Sequence, residues 1–136
     1  MGISYKNGSG YPDPTAYLAV QNIEADEKIL HIQYPTGYMD LKMDAFFPCT
    51  VERARKVFKL ICLYCSKSDK ARLLRFLENK EKHYKAQKQT FLQQQKCAAS
   101  HAEQEELNRR IRESERLAQQ TRRNIEIFIA REAKSL

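Results

Sequence analysis

Four cysteines, Cys49, Cys62, Cys65 and Cys97, and three histidines, His31, His83 and His101, are the side chains here best suited to holding a metal or attacking a substrate. Cys62 and Cys65 stand in Cys-x-x-Cys spacing, which can present two thiolates to one ion, but tetrahedral zinc needs two further ligands, usually from a second close pair. No second pair follows. The two thiols lie among Ile61, Leu63 and Tyr64 on an amphipathic stretch, so they read as small buried hydrophobes. A redox pair would follow a strand or cap a helix, and this one does neither. No Ser, His and Asp set accompanies a Gly-rich turn, and no phosphate loop is present. Glu24, Asp26, Asp40 and Asp44 follow no cation-binding motif and read as solvated carboxylates. Neither a catalytic residue, a bound metal nor a cofactor is expected, and the chain is not expected to be an enzyme.

Charge is the stronger chemical signal. Residues 1–49 hold three Lys and Arg against six acids, residues 50–97 thirteen against four, and residues 98–136 eight against seven, so the net charge of +7 belongs to the middle of the chain. The band comprises Arg53, Arg55, Lys56 and Lys59, then Lys67, Lys70, Arg72 and Arg75, then Lys80, Lys82, Lys85 and Lys88. Cations beside a phosphate backbone gain affinity by releasing condensed counterions, without reading sequence. His83 and Tyr84 can add stacking if they are exposed. No helix-turn-helix, zinc-finger or RNA-recognition signature accompanies the band, so base-specific readout is not expected. An ordinary solvated helix face is the bland reading of the same residues.

These side chains need elements to position them. Residues 1–10, with three glycines in a polar setting, are expected to be a flexible tail. Asp13 and Pro14 suit the start of a short helix to about Ala25, with Ala16, Val20 and Ile23 on one stripe. Leu30, Ile32 and Tyr34 then alternate with polar residues, as do Met39, Leu41 and Met43 beyond Pro35-Thr36-Gly37, which predicts a β-hairpin with one buried face. Thr50 is a fair N-cap for a covering helix with Val51, Ala54, Phe58, Ile61 and Cys65 at helical spacing. These segments make an α+β head over residues 11–66.

From Ser66 onward no Gly or Pro occurs. Ser66 to Asp69 reads as a turn and new N-cap, and a break is expected near 96–101 because a single helix of this length is unusual in an ordinary domain. Leu77, Tyr84 and Phe91 recur every seven residues, while Leu107, Ile111, Ser114, Ala118, Thr121, Ile125 and Phe128 alternate gaps of four and three. The spacing predicts that residues 67–136 form an antiparallel coiled-coil hairpin. Pairing between chains, giving a homodimer, would satisfy the same seam.

Gly10-Tyr11-Pro12-Asp13-Pro14-Thr15-Ala16-Tyr17, continuing to Asn22-Ile23-Glu24, resembles the N-terminal segment of small phage and integrative-element proteins of Firmicutes, including ArpU-type transcriptional regulators. The resemblance implies origin on a mobile element. Those regulators end in a DNA-binding helix-turn-helix, from which the heptad hairpin departs. No run of about 18 apolar residues and no secretory segment occurs, so a cytoplasmic protein without membrane contact is expected. The functional expectation is a non-enzymatic accessory protein that docks on nucleic acid or a nucleoprotein, in the manner of an anti-CRISPR inhibitor. An acidic protein surface is a further possible partner. A coiled-coil interaction scaffold and a transcriptional regulator are the alternatives.

Overall fold

The computed structural model describes residues 28–135, and the expected tail and the helix over 14–25 lie outside that range. Two strands, β1 (Ile29–Tyr34) and β2 (Gly37–Lys42), are followed by helices α1 (Met43–Phe46), α2 (Val51–Tyr64), α3 (Lys67–Lys96) and α4 (His101–Ser135). The architecture is α+β, as expected: a two-stranded antiparallel hairpin followed by helices, the last two long and packed together.

Alternation decides the hairpin. Tyr34 pairs with Gly37 across Pro35-Thr36, and the register runs back to Ile29 opposite Lys42. This puts Leu30, Ile32 and Leu41 on a buried face, and His31, Gln33, Tyr38, Asp40 and Lys42 on an exposed one. At Gly37 a Cβ would lie 3.0 Å from the Tyr34 ring, so the turn has no room for a larger residue without moving that ring. The expected strand residue Met43 instead opens α1, with its amide bonded to Lys28 O at 2.8 Å. It keeps its place in the core because the first turn of α1 continues the buried side of β2.

The helix boundaries follow from their caps. The Thr50 hydroxyl accepts from the Arg53 amide at 3.3 Å, and the Ser66 hydroxyl accepts from the Asp69 amide at 3.1 Å. Each satisfies an otherwise orphan donor. Cys65 is extended and ends α2 rather than adding a helical turn. Residues 97–100 make the expected break, and the Ser100 hydroxyl accepts from the Glu103 amide at the start of α4.

α3 and α4 pair within the chain, in antiparallel register. Glu81, Lys88 and Gln95, seven residues apart on α3, meet Arg122, Glu115 and Asn108, seven apart in the opposite sense on α4. The seam residues obey the same register: Leu77, Ala118, Ile125 and Phe128 are buried, while Tyr84, Phe91, Leu107 and Ile111 are half-buried. Between them the seam is polar, with the buried Ser114 hydroxyl donating to Gln87 Oε1 at 3.1 Å. The seam that could have made a homodimer is thus occupied by the chain's own two arms.

Among the described residues, the head shares its core with the two long arms. One core cluster joins Leu30, Ile32, Leu41, Met43 and Phe47 to Ala54, Val57, Phe58 and Ile61 of α2, Leu73 and Leu77 of α3, and Ile125 and Phe128 of α4. Residue 66 is therefore a change of direction within one core. Asn124 fastens the two ends: its Oδ1 accepts from the Cys49 amide at 2.9 Å and its Nδ2 donates to Cys49 O at 3.0 Å, with the side chain fully buried.

Candidate polyanion-binding surface

The twelve cations of the band do not share one face, because a helix turning 100° per residue distributes them around its axis. Residues 70, 80 and 88 fall on the inner flank of α3. Lys70 meets Glu132 of α4 at 3.4 Å, Lys88 meets Glu115 of α4 at 3.5 Å, and Lys80 meets Asp44 of α1 at 3.5 Å. Lys80 also lies over the rings of Phe76 and Tyr84. Arg72 donates to Ile29 O at 3.0 Å and pairs with Asp69, tying α3 to the start of β1. These four hold elements together, and they correct the expectation of a single open band running to Lys88.

The remaining eight stay exposed. Arg53 covers the Phe46 ring at 4.7 Å, Lys56 pairs with Glu52 at 3.5 Å, and Lys85 pairs with Glu81 at 3.4 Å. Arg55, Lys59, Lys67, Arg75 and Lys82 have no ion pair among the described residues. Lys96, which the band omitted, joins them. Arg75, Lys82 and Lys96 fall at multiples of seven residues, Arg75 and Lys82 two positions before the seam residues Leu77 and Tyr84 and Lys96 at the end of α3. They form a line on the outer side of α3, with about 10 Å of helix between Arg75 and Lys82 and about twice that on to Lys96. The seven-residue repeat that carries the apolar seam thus carries a cationic stripe as well, a periodicity legible in the sequence once the seam is placed. His83 is exposed and leans on the half-buried Tyr84, so the pair offers at most one ring to a ligand.

The outer face of the hairpin holds a polar cluster that the spacing of the sequence did not single out. Tyr38 Oη donates to Asp40 Oδ1 at 2.5 Å, and His31 Nδ1 lies 2.6 Å from the same oxygen and 3.2 Å from Tyr38 Oη. The hydrogen bonds from Tyr38 and then His31 lower the pKa of the Asp40 carboxyl, while the same bond to Asp40 raises that of the Tyr38 hydroxyl. His31 pairs with Asp40 across the strands, and Tyr38 sits diagonally to His31. The signal in the sequence was the period of two itself, which puts these residues on the polar face.

No metal geometry emerges. Among the described residues, no group of three or more His, Cys, Asp or Glu side chains could hold an ion. None of the four cysteines forms a disulfide. Cys49 is buried, and desolvation pushes its thiol up to about 11 against a smaller opposing pull from Arg53. Burial, chiefly, also raises the thiol of Cys65. Cys97 lies exposed at the hairpin tip. The thiolate is the reactive form. An alkylating reagent at mildly alkaline pH is therefore expected to label Cys97 first and Cys49 only once denaturant is added, read by mass spectrometry of the peptides. Equal labelling rates in the native protein would contradict the buried position of Cys49.

Among the described residues no helix is long and apolar enough to cross a membrane. Comparison of the chain with protein-family models, with curated proteins and with solved structures finds no match.

Proposed function

We propose that this chain is a non-enzymatic nucleic-acid-binding protein that contacts phosphate backbones through the outer faces of α2 and α3. The observation that carries this reading is the line of Arg75, Lys82 and Lys96, with Lys67, Arg55 and Lys59, cations with no ion pair among the described residues. Exposed cations held in no ion pair keep more of their attraction for an anion than Lys70 and Lys88, whose charges are engaged within the fold. A mobile-element origin, implied by the resemblance of residues 10–24, narrows the proposal: the bound species is a host nucleoprotein, such as a guide-loaded CRISPR effector, which needs only to be covered to be inhibited.

The test is a titration of duplex DNA, single-stranded RNA and a guide-loaded effector at several salt concentrations. Affinity is expected to fall linearly on a log–log plot. In duplex DNA each lost phosphate contact removes about 0.9 from the slope, so Arg75→Gln, Lys82→Gln and Lys96→Gln together should flatten it by roughly 2–3. Lys70→Gln with Lys88→Gln should leave the slope where it was. An unchanged slope in the triple variant sinks this surface, and an absence of binding at low salt sinks the nucleic-acid reading.

A further inference from the structure

Tyr38 and His31 lie with their ring planes 12° apart and centroids 6.5 Å apart, a separation that would leave an empty layer if one ring lay above the other. The hydrogen-bonding distance of 3.2 Å between Nδ1 and Oη excludes that arrangement. The contact joins ring edge to ring edge, so the displacement is mostly lateral and the near-parallel rings sit side by side. Together they present adjoining, similarly oriented π faces.

That surface is both exposed and fixed. Tyr38 is 59% exposed, one of few large hydrophobic side chains so placed among the described residues. An exposed tyrosine ordinarily samples several rotamers, but here Asp40 Oδ1 accepts from both neighbours and holds each ring to the other. The carboxylate is engaged from two sides, which draws its charge into the plane of the cluster. Gln33, opposite Tyr38, supplies amide donors and an acceptor, and Lys42 on the same face has no ion pair among the described residues. On the reverse of the hairpin are the core residues Leu30, Ile32 and Leu41, so the platform rests on a packed support.

We infer that this platform stacks an unpaired nucleobase, and hence that the nucleic acid recognised is single-stranded at the hairpin. This rests on the nucleic-acid reading above and specifies the ligand. Flat aromatic surfaces bind bases without regard to sequence because every base has a π face, and in a duplex those faces are already taken up by neighbouring pairs. Cationic Lys42, in a chain of net charge +7, complements the phosphate that accompanies such a base. A cross-strand pair that only stabilises the hairpin would use the same residues. It would not, however, discriminate between strands.

The experiment measures fluorescence anisotropy of a labelled mixed-sequence oligonucleotide, as single-stranded DNA, as single-stranded RNA and as its DNA duplex, with thermal melting run alongside. Tyr38→Leu and His31→Leu are each expected to weaken single-strand binding about tenfold and to leave duplex binding unchanged. Tyr38→Phe, which keeps the ring and loses the hydroxyl, should retain most of the affinity if the melting temperature holds. Single-strand binding indifferent to Tyr38→Leu, or an equal loss on the duplex, overturns the platform while leaving the cationic surface intact. Failure of the native protein to bind any strand at low salt overturns both.

Discussion

Phe58→Ala is expected to cost about 3–5 kcal/mol, a large share of the roughly 5–15 kcal/mol that holds an ordinary domain folded. Phe58 is fully buried, stacked against Phe47 at 5.6 Å and tilted against Phe128 at 5.1 Å between ring centroids. One side chain therefore joins the segment before α2 to α4. Removing it opens a void that three elements cannot all collapse to fill, because each is anchored elsewhere. Urea unfolding followed by circular dichroism measures the loss. Leu63→Ala is the comparison: this leucine lies on the same helix but is 60% exposed, so a change within about 0.5 kcal/mol is expected. Equal costs at the two positions would mean that α2 is not packed as described.

Asn124→Ala is expected to cost about 2–6 kcal/mol, a comparable amount, through a different mechanism. No large volume is lost, but the Cys49 amide and carbonyl both lose their partner in a buried place, and each unmet group carries a penalty of about 1–3 kcal/mol. Asn124→Asp is informative because it keeps the shape. An ionised aspartate still accepts from the Cys49 amide but faces Cys49 O with a second acceptor and buries a charge. Its thermal melting point should fall at neutral pH and recover as the carboxyl is protonated in acid. The sign follows from linkage: burial raises a folded carboxyl above its unfolded value, so stability is gained as pH falls through the folded pKa. A variant that melts at the same temperature across that range would show that Asn124 does not bridge the ends.

Periodicity made the hairpin and the two arms legible, because burial follows a period of two in β1 and β2 and heptad spacing in α3 and α4. The break near 97–100 was legible because a single helix running from residue 67 to the end of the sequence would be unusually long for an ordinary domain. The one-turn helix α1 was not, since Met43 keeps the phase of the strand pattern while leaving the strand. The partition of the cations was half legible. Charge counts locate the band, but only the register of α3 against α4 reveals that Glu115 and Glu132 come opposite Lys88 and Lys70. The Tyr38–His31–Asp40 cluster escaped notice for a related reason. Its members are separated along the chain, and the pairing that unites them depends on a two-residue turn.

The fastening of Cys49 by Asn124, and the closure of the core by Ile125 and Phe128, also bear on the order of events during synthesis. At roughly 5–20 residues per second, several seconds pass between the emergence of the strands and that of the last wall against which they pack. Until then, among the described residues, the hydrophobic side of the sheet has α2 and α3 to shelter it. The described core is complete only once α4 folds back, and the strands have no finished packing to rest in before that.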